Sequence, residues 1–295
     1  TLLCTLIIAA LTATGCGSDD DGGPASFTLA TFNVRNFFDA SDDPLKLDET
    51  LTATEAAQKL QGLGTALRVL DADIVALQEV ENIAVLRKLR DEELQDLGYS
   101  EVHLLEGNDP RGIDVALLSR LAVTRVQTHK DDRFDGVDGD TSSHKFSRDC
   151  LEADVAVGSQ TLTLLINHLR ASTSAGNDDV KRRNAQAARV RAIADGILSS
   201  KSDALLAVVG DLNDDPQSRA LELVAKGSPA LGDVLEGLPT SERHTVNWSG
   251  KKQVDYILTS PALGKGLKAG SAAVQRTQIF SNTSDHYPVK AEFGL

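Results

Sequence analysis

Short apolar stretches that end in polar residues recur along the chain from residue 26 onward. Runs of this length, rich in Val, Ile, Leu and Phe and bounded by turn residues, predict buried β-strands. Because polar residues directly follow the apolar runs, we expect the functional side chains to lie at the strand ends, along one edge of a sheet. The predicted strands are Phe27–Asn33, Ile74–Gln78, Val115–Leu118, Ala153–Val157, Leu162–Asn167, Leu205–Val209, Val254–Leu258 and Val289–Phe293.

Helical patterns lie between these strands. In Thr54–Leu70 the apolar residues recur every three or four positions, although two glycines weaken the pattern. Asn82 is placed to cap a helix that runs to about Leu94, and Asp178 and Asp179 begin a third pattern with the negative charge that a helix N-terminus favours. Strands mixed with helices, without strict alternation, predict an α/β domain with packed sheets.

Chain length, composition and net charge limit the number of domains and the kinds of binding partner. The chain has 295 residues, of which 41% are hydrophobic and 25% charged, as in one large globular domain or two small ones. Its formal net charge is −13, whereas a tight, sequence-blind DNA-binding protein is usually basic. Either the partner is not a long polyanion, or bound cations and a local basic patch offset the repulsion.

The N-terminal segment predicts export. Leu2 to Leu11 is apolar but too short to span a bilayer, and the small residues before Cys16 resemble a bacterial lipobox. That resemblance implies a signal peptide over 1–15, lipid on the Cys16 thiol, an acidic glycine-rich tether over 16–25 and one domain over 26–295. The expected location is the bacterial cell envelope, lipid-anchored or secreted; the alternative is an ordinary signal peptide with an incidental cysteine. Cys150 then has no disulfide partner and is predicted to be a buried, inert thiol.

The polar residues at the strand ends fall into two chemical groups. Asn33, Glu79 and Asp285 are oxygen donors without any Cys or His at zinc-ligand spacing, and such donors suit a hard cation such as Mg²⁺. Two carboxylates, two imidazoles and one amide remain, a set that suits attack of water on phosphorus. These five residues are His168, Asp211, Asn213, Asp255 and His286.

Seven sequence blocks in this order resemble the endonuclease/exonuclease/phosphatase superfamily of metal-dependent phosphodiesterases, and among its members the bacterial secreted nucleases. The resemblance covers Phe27–Leu295 and implies an α/β fold: a four-layer α/β/β/α sandwich of two mixed sheets flanked by helices, with the site at one edge. The blocks are Thr31–Arg35, Leu77–Asn82, Phe146–Arg148, Asn167–Leu169, Gly210–Asn213, Val254–Leu258 and Ser284–Val289.

The resemblance also implies roles for individual residues. Glu79 would be the principal metal ligand, with Asn33 and Asp285 close by, for Mg²⁺ or Mn²⁺, with Ca²⁺ as a further possibility. The position two residues after Asn33, acidic in abasic-site nucleases, is Arg35 in this chain, so one metal is favoured over two. Asp211 would orient or deprotonate the attacking water.

The remaining roles concern the phosphate. Asn213 would hold water and phosphate. His286, oriented by Asp255, would donate a hydrogen bond or a proton to the phosphate, and His168 would face it from the other side. Asp114 could orient His168. Three arginines are expected to contact substrate phosphates: Arg111, Arg148 and Arg170.

Three functions follow as hypotheses. The leading one is a low-specificity nuclease for DNA, RNA or both, expected to be a monomer anchored at the cell envelope. A phospholipase C- or sphingomyelinase-like enzyme, or a phosphatase for lipid or small phosphoesters, is the alternative within the same superfamily. An inactive binding lipoprotein is the third. The sequence does not separate DNA from RNA, or endo from exo cleavage, and it leaves Trp248 equally suited to stack on a base or to fill the core.

Overall fold

A computed structural model of the protein describes residues 26–173, 176–248 and 250–295. The predicted signal peptide, the tether and Cys16 lie outside the described residues. The helices are α1 (Ala53–Leu70), α2 (Ile83–Glu93), α3 (Asn177–Ser200), α4 (Arg219–Ala225), α5 (Pro261–Lys265) and α6 (Gln278–Thr283). The strands are β1 (Ser26–Phe37), β2 (Ile74–Val80), β3 (Glu101–Leu104), β4 (Asp114–Ser119), β5 (Val123–Gln127), β6 (Phe134–Asp135), β7 (Ser143–His144), β8 (Cys150–Val157), β9 (Gln160–His168), β10 (Leu205–Asp211), β11 (Gly232–Asp233), β12 (Asp255–Thr259), β13 (Ala273–Val274) and β14 (Val289–Gly294).

Two six-stranded sheets form the centre of the described part of the chain. The first has the strand order β13-β14-β1-β2-β4-β3 and the second the order β11-β12-β10-β9-β8-β5. Each contains one parallel pair, β1 with β2 and β9 with β10, among antiparallel neighbours. Both sheets are therefore mixed, as predicted. No helix among the described residues is long and apolar enough to cross a bilayer.

The core follows from the alternation of side chains along the strands, which sends successive residues to opposite faces of a sheet. In β1, Leu29 lies in the apolar layer between the sheets, while Ala30 and Phe32 lie in the layer against α1 and α2. In β9, Ile166 lies between the sheets and Leu165 lies against α3 and α4. Three apolar layers separate four layers of secondary structure, which confirms the predicted α/β/β/α sandwich.

The helix starts follow local sequence signals. Asn82 caps α2, as predicted, because its side chain accepts a 2.9 Å hydrogen bond from the Val85 amide. Thr52 and Glu55 form a capping box at the start of α1. Gly64, which weakened the sequence pattern of α1, lies where a Cβ would come 2.5 Å from Cβ of Glu93. The glycine therefore lets α1 and α2 approach closely.

Several elements differ from the sequence prediction. β1 continues beyond Asn33 to Phe37, and the polar segment 128–149, where no strand is predicted, carries the two-stranded β6–β7 sheet. That sheet is anchored where the rings of Phe134 and Phe146 pack 5.1 Å apart. Cys150 is a free, fully buried thiol, as predicted, and burial raises its pKa.

The topology brings the polar strand ends to one edge. The carboxyl ends of β1 and β2 point the same way because the two strands are parallel, and the same holds for β9 and β10. Asp255 begins β12 directly opposite Asp211 at the end of β10. Asp285 and His286 precede β14, which runs antiparallel to β1. The two sheets therefore present their polar ends to one cleft.

Candidate active site

Irregular backbone at the ends of β1 and β2 sets the direction of the Glu79 side chain. The strand register shifts after Asn33 and again around Glu79, which is the local rearrangement that re-aims side chains at functional sites. Glu79 has φ +65°, and Arg35 and Asn36 have φ +52° and +48°. A non-glycine residue in this region costs about 1 kcal/mol or more. The Glu79 carboxylate is turned so that Oε2 accepts a 2.9 Å bond from the Asn36 amide.

Asn33 joins the two sheets at this edge. Its buried Nδ2 donates to Oε1 of Glu79 at 3.1 Å and to Oδ2 of Asp211 at 3.0 Å. Its Oδ1 accepts from the amide of Arg35 at 3.0 Å. The structure therefore brings Glu79 and Asp211 together through one shared amide. Asn33 turns its NH₂ group toward both carboxylates, and its role as a metal ligand stays a prediction.

The loop after β10 holds Asp211 and Asn213. Gly210 has φ +128°, and a Cβ there would lie 2.0 Å from the Asn167 carbonyl oxygen, so only glycine fits beside β9. Oδ1 of Asp211 accepts a 2.8 Å bond from the amide of Asn213, an Asx turn. The Asn213 side chain donates to the Leu169 carbonyl at 3.0 Å. Asp211 is thus held by the close packing of Gly210 before it and by the turn at Asn213 after it.

Two histidines converge on Asp211. His286 Nδ1 lies 2.8 Å from Oδ2 of Asp255, and its Nε2 lies 3.9 Å from Oδ2 of Asp211. His168 Nε2 lies 3.6 Å from that same Asp211 oxygen. All four side chains are buried. The predicted orientation of His286 by Asp255 is present in the structure.

Burial and the neighbouring charges shift the pKa values of the two imidazoles in opposite directions. Burial, Arg148 and the charge on His286 hold the pKa of His168 well below its ordinary value. Burial alone lowers the pKa of His286, but Asp255 and Asp211 outweigh it and raise that pKa to about 10. Burial, and then Asp255, raise the pKa of Asp211 to about 7. A neutral imidazole and an imidazolium therefore face one carboxylate that titrates near neutrality, a combination that fits acid–base chemistry.

One predicted contact is wrong. Asp114 does not orient His168, because Nδ1 of that histidine is buried without a hydrogen-bond partner. Oδ1 of Asp114 instead accepts a 2.8 Å bond from the amide of Gly107. Asp114 holds the loop after β3, which explains why an acid begins β4.

The donors fit a divalent cation. Asp211, Asp255 and His286 bring ligand atoms within 4.8 Å of one another; because a protonated His286 has no lone pair for a metal, the carboxylates are the donors of this group. Oδ1 of Asp255 is buried and has no hydrogen-bond partner among the described residues. Asp285 is partly exposed, with a loose ion pair of 3.8 Å to Nε of Arg35. Such an excess of carboxylate oxygens suits Mg²⁺ or Mn²⁺, and Glu79 and Asp285 remain the predicted ligands.

The three arginines lie at different depths. Arg148 is buried, with Nε 2.7 Å from Oδ2 of Asp109 and Nη1 donating to the Leu169 carbonyl at 3.2 Å. Arg111 shares Asp109 at 3.4 Å and is 46% exposed. Arg170 donates to Asp179 at 2.7 Å and is 29% exposed. Arg111 and Arg170 are open to solvent, whereas Arg148 supports the floor of the site; phosphate contact by all three stays a prediction.

Sequence reasoning missed two residues that hold the site. Ser284 Oγ donates to the Asn33 carbonyl at 2.7 Å and accepts from the His286 amide at 3.1 Å. Lys59 Nζ donates to the Val34 and Thr283 carbonyls at 2.6 and 2.8 Å. Burial lowers the pKa of Lys59 to about 8. The position of Ser284 directly before Asp285 could have indicated it, whereas nothing in the helical pattern of α1 singles out Lys59.

The sequence matches the model of the "Endonuclease/Exonuclease/phosphatase family" over residues 28–283. A search of curated proteins finds no match. The matched range contains the predicted catalytic, metal-binding and phosphate-binding residues except Asp285 and His286, which lie just beyond its end.

Solved structures share the fold. Truncated TDP2 from Caenorhabditis elegans is 20% identical with a TM-score of 0.62, over 92% of this chain and 98% of that one. The human nocturnin catalytic domain with bound sulfate is 18% identical with a TM-score of 0.63, over 92% and 96%. D. rerio TDP2 complexed with a single-strand DNA product is 19% identical with a TM-score of 0.61, over 92% and 100%. At this level of identity the comparison supports the architecture and not the substrate.

Proposed function

The chain belongs to the endonuclease/exonuclease/phosphatase family, and from this premise we propose that it is a nuclease of low sequence specificity for DNA, RNA or both. Members of the family are metal-dependent phosphodiesterases, and this chain is an enzyme of that type. The observation that carries the proposal is the convergence of His168 and His286 on Asp211, with Asn33 linking Asp211 to Glu79.

The proposed mechanism has one base and one acid, supported by the geometry of the site. Asp211, with its pKa near 7, accepts the proton of the attacking water as the new P–O bond forms. Asn213, fixed by Leu169, lies beside it to position water and phosphate. His286, charged and held by Asp255, donates a proton to the leaving oxygen as its bond to phosphorus breaks. His168, neutral and buried, faces the phosphate from the other side.

The metal belongs to the same cleft. Glu79 and Asp285, with Asn33 beside them, would hold one Mg²⁺ or Mn²⁺ ion. A bound divalent cation supplies charge stabilisation for the phosphate oxygens. Arg35, paired with Asp285 at 3.8 Å, supplies fixed positive charge where related abasic-site enzymes have an acid, which supports a one-metal site.

A polynucleotide substrate has local support despite the net charge of −13. A cavity of about 320 Å³ includes Asp109, the partner of Arg148, and four basic side chains: Arg133, Lys145, Arg170 and Arg182. Such a patch offsets the overall repulsion and adds favourable contacts to phosphates.

A substrate panel tests this function. Plasmid DNA, RNA, sphingomyelin vesicles and a small phosphomonoester are incubated with the protein in Mg²⁺ and in EDTA, with Asp211→Asn prepared in parallel. Cleavage of a polynucleotide in Mg²⁺ alone, absent in the variant, supports the nuclease. Headgroup release without nucleic-acid cleavage would assign the phospholipase C-type activity instead, and hydrolysis of nothing in the panel would leave a binding lipoprotein.

The proposed location is the bacterial cell envelope, with a monomer anchored by lipid on Cys16. Support comes from the small residues before Cys16 and the acidic, glycine-rich stretch after it. Labelling with a radioactive fatty acid in a bacterial host should mark the protein and its Cys4→Ser variant, but not Cys16→Ser. Label on Cys16→Ser, or on none of the three, would reject the anchor. Size-exclusion chromatography tests the monomer.

A further inference from the structure

The chain's one tryptophan lies in a loop that pairs with the backbone of Asp285 and His286. Trp248 is 43% exposed and is not part of the core. The preceding residue, Asn247, donates from its amide to the Asp285 carbonyl at 3.0 Å and from Nδ2 to the Ser284 carbonyl at 3.3 Å. Val246 forms a β-bridge with His286. The loop that carries Trp248 is therefore held against the backbone of two predicted site residues, Asp285 and His286.

A basic cleft lies beside this loop. It has a volume of about 560 Å³, which is the size of small-ligand pockets. Lys252 donates to Asp215 at 2.8 Å, and Asp215 is only two residues beyond Asn213 in the chain. Lys251 is exposed and has no ion pair within the described part of the chain. The cleft thus connects the Asn213 loop with the Trp248 loop, and its cationic lining comes from Arg243, Lys251 and Lys252.

An exposed indole, three residues from a lysine that is exposed and unpaired among the described residues, has the composition of a single-strand binding platform. Aromatic side chains bind nucleobases by stacking, and nearby cations follow the phosphates. A lipid headgroup or a small phosphomonoester offers no flat base to such a ring. In a duplex, the base faces are already covered by their neighbours. The chemistry of this loop therefore favours an unpaired strand.

Resting on the nuclease function proposed above, we propose that Trp248 stacks on an unpaired nucleobase beside the scissile phosphate, while Lys251 contacts the adjoining phosphate. Trp248 is then a specificity-determining residue that selects single strands and frayed ends of DNA or RNA over paired duplex. The stacking precedes the chemistry and needs no metal.

Because the protein has one tryptophan, its intrinsic fluorescence reports on this position alone. The full chain in EDTA is titrated with a deoxyribonucleotide oligomer, its ribonucleotide equivalent, the paired duplex, and an abasic oligomer of equal length. Saturable quenching by the unpaired strands, at lower concentration than by the duplex and absent with the abasic strand, supports the proposal. No quenching by base-containing strands, or equal quenching by the abasic strand, overturns it.

Kinetics separate stacking from a structural effect. Trp248→Ala should raise KM for a single-stranded oligomer about 5- to 150-fold at unchanged kcat, and leave KM for the abasic oligomer unchanged. Trp248→Phe should recover most of the loss. Val69→Ala, which truncates another exposed apolar residue, on α1, should change neither constant. A kcat loss of equal size on both substrates would indicate a structural role and reject the proposal.

The experiments can reject the nuclease activity and the stacking at Trp248 independently of each other. Cleavage in Mg²⁺ without base-dependent quenching leaves the nuclease and rejects the stacking at Trp248. Base-dependent quenching without cleavage supports the binding platform and rejects the nuclease.

Discussion

The side-chain amide of Asn33 donates a 3.0 Å hydrogen bond to Asp211, 178 residues further along the chain. This bond joins β1 of the first sheet to β10 of the second at the edge where the candidate active site lies. The same nitrogen also donates to Glu79 at 3.1 Å. The position of the predicted metal ligand relative to the predicted base therefore depends on one buried amide group.

Replacing that amide tests its role. Asn33→Asp turns a shared donor into a third carboxylate between Glu79 and Asp211, so both bonds become repulsive contacts. Hydrogen bonds to charged groups contribute about 1.5–3 kcal/mol each, and kcat/KM should fall at least about 100-fold. The matched control is Asn177→Asp, at the exposed start of α3, which should keep full activity. Wild-type activity in Asn33→Asp would contradict the bridging role.

Asp255 is expected to act through His286. Asp255→Asn removes the charge that holds Nδ1 of His286 at 2.8 Å and that raises the pKa of this histidine. We expect kcat to fall by about 10²–10⁴-fold, the contribution of a positioned acid–base group, with KM nearly constant. Steady-state kinetics against Asp178→Asn, an exposed change on α3, provide the comparison. A change confined to KM would place Asp255 in substrate binding instead.

Two glycines in helices offer a matched pair for stability. Gly64→Ala puts a Cβ 2.5 Å from Cβ of Glu93 and should lower the free energy of unfolding by about 1–3 kcal/mol through overpacking of α1 on α2. Gly196→Ala, in α3 with open space around its Cβ, should raise that free energy by about 0.5–1 kcal/mol. Urea denaturation of both variants measures the difference. Equal effects would contradict the close approach of the two helices.

The surroundings of His129, which lies away from the site, predict that the stability of the protein depends on pH. Burial lowers the pKa of His129, but its bonds to Glu152 at 2.8 Å and Asp132 at 3.1 Å raise it above the ordinary 6.5. The folded state then binds the proton more tightly than the unfolded state. The stabilisation is fully present below pH 6.5 and is lost as the pH rises through the folded pKa.

The measurement is the difference in unfolding free energy between wild type and His129→Gln across pH. It should be largest below pH 6.5 and shrink above it. Arg125 and Arg189, which pair with Glu152 and Asp132, are present in both proteins, so they leave the direction of the difference unchanged. A difference that is constant or grows with pH would show that His129 does not carry this proton.

Much of the site could be predicted because each residue lies where a periodic apolar run ends. Asp211 and Asp255 are neighbours since their strands pair, and strand ends were visible in the sequence. The edge strand β5 was missed because its side chains are mostly exposed, with little apolar alternation to detect.

Other features depend on contacts between distant elements and have no local signal. The donation by Lys59 to carbonyls on either side of the site requires the packing of α1 against β1 and α6. The orientation of the Asn33 amide depends on carboxylates from two other strands. Arg148 was expected to contact a substrate phosphate, and its pairing with Asp109 inside the protein follows only from the three-dimensional loop structure.

The central claim is that one cleft formed by both sheets hydrolyses phosphodiesters with a divalent cation bound near Glu79. The most direct measurement is nicking of supercoiled plasmid by wild type, Glu79→Gln and the exposed control Glu49→Gln, each in Mg²⁺ and in EDTA. The account predicts nicking by wild type and Glu49→Gln in Mg²⁺ only, and a loss of at least about 100-fold in Glu79→Gln. Nicking that persists in EDTA, or equal rates for Glu79→Gln and wild type, would contradict it.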